Sequence, residues 1–292
     1  MASDGEEAWQ ILQRDDAPRL VILDWMMPGM TGLEVCRQVR ARAPEPYIYM
    51  LLLTSKSHRE DLIEGMDAGA DDYITKPFDQ HELKVRLRAG TRLVDLQAEL
   101  FAAREALREQ ATRDWLTKLW NRSSILDILT RELARSERDA CPVSVALLDL
   151  DHFKTINDTL GHYAGDIVLR ETAGRMNDSV RQYDSTGRYG GEEFLIVLPG
   201  CDLSGAISQA ERLCGRISGA PVVIGTTESG ITASIGVTTS QPGQNATAEA
   251  LIRRADEALY QAKRRGRNRV ESLVFEPESV VAQRREAISV KA

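Results

Sequence analysis

Seven consecutive residues, 188–194 (RYGGEEF), constrain this chain more than any other stretch. Gly190 and Gly191 stand between an aromatic residue and two acids, and an apolar run (194–198) follows at once. Adjacent glycines favour a tight turn with positive φ, so the stretch predicts a β-hairpin whose second strand is buried. A tip without side chains lets backbone approach a ligand, and acids behind it suit a hard divalent cation. An ordinary surface hairpin with solvated acids carries the same short motif, so its neighbours decide between the two.

The 292 residues suffice for about two domains, each with its own core. A net charge of −7 argues against broad nucleic-acid binding, and no nucleic-acid partner is expected. The longest apolar runs, such as 47–53, are too short to cross a bilayer, and the N-terminus (MASDGEEAWQ) is acidic and polar rather than a secretory signal. A cytoplasmic protein with no membrane partner is the expectation. Cys36, Cys141, Cys201 and Cys214 lack metal-ligand spacing and read as buried or free thiols in a reducing compartment.

In the N-terminal third, residues 19–24 read as a buried parallel strand that delivers Asp24 to a loop. A helix with Leu33, Cys36 and Val39 on one face follows. A strand over 47–53 ends at Thr54, 61–70 is helical, and a strand over 72–75 ends at Lys76. Asp24, Thr54 and Lys76 each follow a strand and therefore converge at one edge of the sheet.

The blocks LVILDWMMPGMTGLEV and GADDYITKPF and their spacing resemble the receiver domain of two-component response regulators. The resemblance implies a flavodoxin-like α/β fold over 1–88 and a sensor histidine kinase as partner. It also implies Asp24 as phosphoacceptor, Thr54 and Lys76 as phosphoryl contacts and Tyr73 as the switch aromatic. Only 23 residues precede Asp24, and 2–12 look like the second receiver helix. The first strand, first helix, second strand and metal-binding acidic pair are expected to be missing, leaving the Asp24 strand as an open edge and Asp24 poorly phosphorylated.

Between 81 and 111 there is no proline or turn cluster apart from Gly90. Leu93, Leu96, Leu100, Ala103, Leu107 and Gln110 recur at spacings of three and four. This predicts a helical coiled-coil linker over 89–113, a parallel two-stranded stalk; an amphipathic helix packed on its own domain carries the same spacing.

From 114 onward, helices alternate with mostly antiparallel strands, an α+β pattern. Ser123 is the expected cap of a helix running to about 136, and 142–151 is a buried strand whose period of two puts Asp149 and Asp151 on one face. Helices over 203–218 and 248–263 and strands over 222–225 and 231–238 complete the domain.

DLDHFKTINDTLGHYAGDIVL, RYGGEEF, SIGV and ALYQAKRRGRNR occur in that order and closely resemble the GGDEF-domain diguanylate cyclases, over 114–275. The resemblance implies a fold like nucleotidyl cyclases and polymerase palms. It implies condensation of two GTP into cyclic di-GMP and two pyrophosphates by a homodimer, with two Mg²⁺ (or Mn²⁺) per half-site. In that reading Asp149, the Leu150 carbonyl and Glu192 hold the metal, with Glu192, Glu193 and Lys154 catalytic. Phe153, Lys154, Lys263 and Arg267 contact GTP phosphates, with Lys263 and Arg267 one helical turn apart, and Gly190 also belongs to the GTP site. Asn157 and Asp166 read guanine, and Asp151 is structural. Arg181 and Asp184, an R-x-x-D motif that is otherwise an ordinary surface ion pair, correspond to the family's product-inhibition site. Lys118 replaces the glycine of the family's opening D-x-L-T-G-L-x-N-R block. The alternative reading is a catalytically silent module that senses GTP or cyclic di-GMP. The tail, 276–292, carries no motif.

Overall fold

The computed structural model describes residues 1–42, 45–55 and 59–276. The chain divides into two units, Met1–Arg108 and the part from Glu109 onward.

The first unit begins with α1 (Gly5–Leu12), capped by Asp4, whose carboxylate accepts from the Glu7 N–H. There follow β1 (Leu20–Asp24), α2 (Gly32–Arg42), β2 (Tyr49–Thr54), α3 (Arg59–Asp67), β3 (Asp72–Thr75) and the 33-residue α4 (Gln80–Thr112). The strands form a parallel sheet of order β1-β2-β3, with Asp24 level with Leu53 and Thr54 level with Thr75. Among the described residues β1 pairs on one side only, and Ile22 on it is 41% exposed, the open edge that the sequence predicts. β2 starts at Tyr49 rather than Tyr47, opposite Leu20, where β1 begins; the Tyr47 hydroxyl donates to Asp71, with which the Arg40 guanidinium also pairs.

In α4 only Gly90 is buried, and Leu93, Leu96, Leu100 and Leu107 are all exposed. The apolar stripe therefore exists, largely uncovered within the single chain.

The second unit comprises α5 (Arg122–Asp139), β4 (Val143–Leu150), α6 (Phe153–Leu160), α7 (His162–Asn177), β5 (Ser185–Arg188), β6 (Glu193–Pro199), α8 (Leu203–Ser218), β7 (Val222–Ile224), β8 (Thr227–Ser229), β9 (Ala233–Ser240), α9 (Ala248–Arg264) and β10 (Val270–Ser272). Its main sheet has the order β10-β9-β4-β6-β5, antiparallel except for β10 on β9. Alternation along the central strand splits the core in two. Ala146, Leu148 and Phe194 pack with Val168, Leu169 and Leu213, while Val145, Leu147 and Leu195 pack with Ile125, Leu129 and Leu259. The sheet is thus covered on both faces, an α+β sandwich.

The cap of α5 is Asn121, not Ser123: Asn121 Oδ1 accepts from the Ser124 N–H at 3.0 Å, and Ser123 lies inside the helix, donating its hydroxyl to the same oxygen. Strands β5, β8 and β10 are three or four residues long. Of these, β5 is the first strand of the expected hairpin, while β8 and β10 have no counterpart in the sequence reading.

Candidate active site

The end of β4 meets the β5–β6 hairpin. Asp149 stands opposite Glu193 on one side and Ser234 on the other, and the Leu150 N–H donates to the Glu192 carbonyl at 3.3 Å. Asp149 is 8% exposed, and Lys263 Nζ lies 2.9 Å from its Oδ2. Burial pushes the Asp149 carboxyl above its ordinary range, Lys263 and Arg267 pull it back and Asp151 adds to the rise. Glu192 and Glu193 are raised too, first by burial and then by the charge of Asp149. Three acids thus crowd one lysine, leaving negative charge that a cation would relieve.

The donor set fits a divalent ion that also needs its substrate. Among the described residues no three acids, histidines or cysteines converge into a closed metal cage. Two carboxylates, Asp149 and Glu192, and one backbone carbonyl are available, and Mg²⁺ typically combines one or two carboxylates with substrate phosphates. Glu193, although it feels the charge of Lys263, also lines a cleft of about 690 Å³ with Arg122, Tyr189 and Asp256. Asp151 is committed to the fold: its carboxylate accepts from Thr232 Oγ1, Ser234 Oγ and the Asn268 N–H, so it fastens β9 and the segment after α9 to the end of β4.

The glycines of the hairpin act differently from expectation. Neither Gly190 nor Gly191 has a left-handed backbone. A Cβ on Gly190 would sit 2.5 Å from Glu193 Oε2, so the first glycine makes room for the folded-back acid; a Cβ on Gly191 would meet only open space. The tip is held by Arg188, whose guanidinium donates to the Gly191 carbonyl at 2.8 and 3.1 Å and to the Asp114 carboxylate at 3.2 and 3.3 Å. Sequence reasoning missed this clamp, although both residues stand in the recognisable blocks.

Helix α6 opens with His152 in a left-handed conformation (φ 57) and without a side-chain cap. Its first N–H groups, those of Phe153 and Lys154, face out of the N-terminus, where anions are favoured. Phe153 is 6% exposed and can offer only its backbone, whereas Lys154 is exposed and has no ion-pair partner among the described residues. Asn157 is held against the first turn of α7, which carries Asp166: a Cβ on Gly165 would lie 2.0 Å from Asn157 Oδ1. Lys263 occupies the last turn of α9, but Arg267 is not one helical turn further on. The helix ends at Arg264, and Arg267 (φ 61) donates its N–H back to the Ala262 carbonyl; its charge nevertheless reaches Asp149.

Arg181 and Asp184 are not a side-chain ion pair. They are the two ends of one turn, with the Asp184 N–H donating to the Arg181 carbonyl (3.0 Å) and Asp184 Oδ2 accepting from the Arg181 N–H (2.8 Å). The Arg181 guanidinium is exposed and rests on the Tyr183 hydroxyl at 3.1 Å.

In the first unit Lys76 Nζ pairs with Asp24 Oδ2, Thr54 is fully buried, and the Lys76 N–H donates to the Thr54 carbonyl at 2.7 Å. Asp24, Thr54 and Lys76 therefore come together at the C-terminal edge of the sheet. Tyr73 packs partly against the core on β3, with the Arg86 guanidinium 5.9 Å from its ring.

The family model described as "Diguanylate cyclase, GGDEF domain" matches residues 111–269, and that of the response regulator receiver domain matches 1–88. Response regulator PleD of Caulobacter vibrioides is 36% identical over 253 residues, covering 86% of this chain and 56% of the relative. Diguanylate cyclase DosC of Escherichia coli is 41% identical over 230 residues, covering 76% of this chain and 49% of the relative. The chain thus spans about half the length of these curated relatives. Among solved structures, the coiled coil and GGDEF domain of DgcB from Caulobacter crescentus in complex with c-di-GMP superposes with a TM-score of 0.59 at 34% identity, covering 65% of this chain and 99% of that one. Diguanylate cyclase SiaD of Pseudomonas aeruginosa, in complex with its activator SiaC, gives 0.55 at 40% identity, covering 66% and 74%. No helix among the described residues is long and apolar enough to cross a membrane. A receiver-type sheet followed by this carboxylate-and-hairpin site, with both family matches in the same order, makes the chain a member of the GGDEF-domain diguanylate cyclase family with an N-terminal response regulator receiver domain.

Proposed function

We propose that this chain condenses two GTP molecules into cyclic di-GMP, each 3′-hydroxyl attacking the other's α-phosphorus and releasing pyrophosphate. The observation that carries the reading is the meeting of Asp149, Glu192 and Lys263 at the sheet end, beside the uncapped N-terminus of α6. Asp149, the Leu150 carbonyl and Glu192 would hold Mg²⁺ or Mn²⁺, two per half-site, which when bound supplies charge neutralisation at the phosphates. Lys154, Lys263, Arg267 and the first N–H groups of α6, Phe153 included, orient the triphosphate. Gly190 lets the chain pass close at the hairpin, Glu192 accepts the proton of the attacking hydroxyl, and Glu193 supports it. Asn157 and Asp166 read guanine: a carboxylate accepts from its N1–H and exocyclic amine, donors that adenine does not present together.

One half-site holds one GTP, so activity requires a homodimer, brought together by the α4 stripe as a coiled coil and by the receiver, in which Asp24 stands at the phosphoacceptor position and is a poor acceptor for a sensor histidine kinase. Cyclic di-GMP feeds back through Arg181 and Asp184, the guanidinium forking onto a phosphate and the carboxylate accepting from the base. The test is GTP turnover with Mg²⁺ across enzyme concentration, alongside Glu192→Ala. Cyclic di-GMP formation rising more steeply than linearly, and abolished in the variant, is expected. A folded protein that binds GTP and forms no product overturns the proposal.

A further inference from the structure

Gln209, on α8, is one of two buried residues of the second unit, with Thr172, that carry a side-chain oxygen without a partner among the described residues. It is 5% exposed, and its side-chain oxygen is buried without a hydrogen-bond donor among the described residues. Its amide nitrogen donates to Asp184 Oδ2 at 2.8 Å. The orientation is fixed by chemistry: an ionised carboxylate only accepts, so the amide must turn its NH₂ toward Asp184 and its oxygen away, toward an interior that offers it nothing. A buried, unpaired carbonyl costs stability, and an apolar side chain of similar volume would pack there without that cost.

We propose that Gln209 is a positioning residue of the Arg181–Asp184 turn, setting which oxygen of Asp184 faces a bound guanine nucleotide; this rests on the reading of that turn as the cyclic di-GMP inhibition site. Asp184 Oδ2 already accepts twice, from the Arg181 N–H and from Gln209 Nε2, both at 2.8 Å. Two donors on one oxygen pin the carboxylate in rotation, and Oδ1, with no donor among the described residues, is the acceptor left for a base edge. The Arg181 N–H is backbone and belongs to the turn itself, so by itself it leaves the carboxylate free to pivot about that bond. Gln209 supplies the second point that stops the pivot. It approaches from α8, so the site is assembled by two elements that sequence separates by 25 residues.

The experiment is the initial rate of GTP turnover by the full chain at graded cyclic di-GMP, for the parent, Gln209→Leu, Gln209→Met and Arg181→Ala. Both Gln209 variants are expected to raise Ki about tenfold, the loss of one hydrogen bond to a charged group. They should leave kcat and KM for GTP at parental values and not lower the melting temperature, because the orphan oxygen goes with the amide. A merely structural glutamine would instead lower the melting temperature and leave Ki alone. A Ki within twofold of parent in a folded Gln209 variant, while Arg181→Ala abolishes inhibition, overturns the role of Gln209 and leaves the site standing. Inhibition intact in Arg181→Ala overturns the site, and this proposal with it.

Discussion

Lys118 occupies the position at which the family's opening block has glycine, and its backbone explains why glycine belongs there: φ is 60. A Cβ in the left-handed region costs about 1–2 kcal/mol. Glycine would remove that strain while giving back about 0.4–1 kcal/mol through the greater freedom of the unfolded chain. The side chain itself contributes little, since its ion pair with Glu109 spans 3.7 Å between groups 68% and 60% exposed, worth at most about 0.5 kcal/mol. The turn's own bonds survive the change, because the Lys118 N–H and carbonyl make them, to Asp114 and Arg113. Lys118→Gly should therefore stabilise the second unit by roughly 0.5–1 kcal/mol, a rise of about 1–4 °C in its melting temperature for a unit of this size. Differential scanning calorimetry of the full chain measures it, with Lys118→Ala as the control that removes the side chain and keeps the strain. A lower melting temperature for the glycine variant, or an equal rise for the alanine variant, would refute the strain argument.

Three further outcomes follow from the same geometry. Arg188→Ala removes the clamp on the hairpin tip and half-strands Asp114; it should cost about 2–4 kcal/mol and lower kcat at least about tenfold by loosening the segment that carries Glu192, and parental denaturation midpoint and turnover together would sink it. Asp166→Ser should admit ATP, read as a higher ATP/GTP turnover ratio; an unchanged ratio counts against the base-reading role. Burial raises the Asp114 carboxyl, but the Thr117 and Arg188 hydrogen bonds outweigh it and hold the group below its ordinary range. Its contribution is thus fully present above the ordinary carboxylate pKa of about 4 and is lost as pH falls through the depressed folded value. Melting curves from pH 5 to pH 2.5 should accordingly be flatter for Asp114→Asn than for the parent.

Much of this architecture is written in local pattern. Asp24, Thr54 and Lys76 could be brought together from the sequence because each closes a parallel strand, and parallel strands share one C-terminal edge. The hairpin was legible for a similar reason, but the role of its glycines was not: Gly190 is needed for what stands over it, Glu193, rather than for its own φ. Spacing failed at Arg267 because periodicity assumes that the helix continues, and α9 ends at Arg264. Ser123 lost the cap to Asn121 because both are good capping residues two positions apart, and only the backbone decides which stands outside the helix. Gln209 was illegible altogether, since a glutamine in an amphipathic helix gives no sign that its face is buried.

The residues that hold the hairpin come from distant parts of the sequence. Asp114 and Arg188 lie 74 positions apart, yet the loop between Thr112 and Asn121 closes on itself and is stitched to β5 at Trp120. The Asn121 N–H donates to the Thr112 carbonyl, the Trp120 N–H to the Thr186 carbonyl, and the Arg188 N–H to the Trp120 carbonyl. The Arg113 guanidinium stacks 3.6 Å from the Trp120 ring, closing the loop on itself. The last turn of α4 is thus joined to the hairpin strand by backbone bonds and one half-buried ion pair, with no glycine or flexible spacer between them. Lys118, with its left-handed backbone, lies inside this same loop, bonded to Asp114, the partner of the Arg188 clamp.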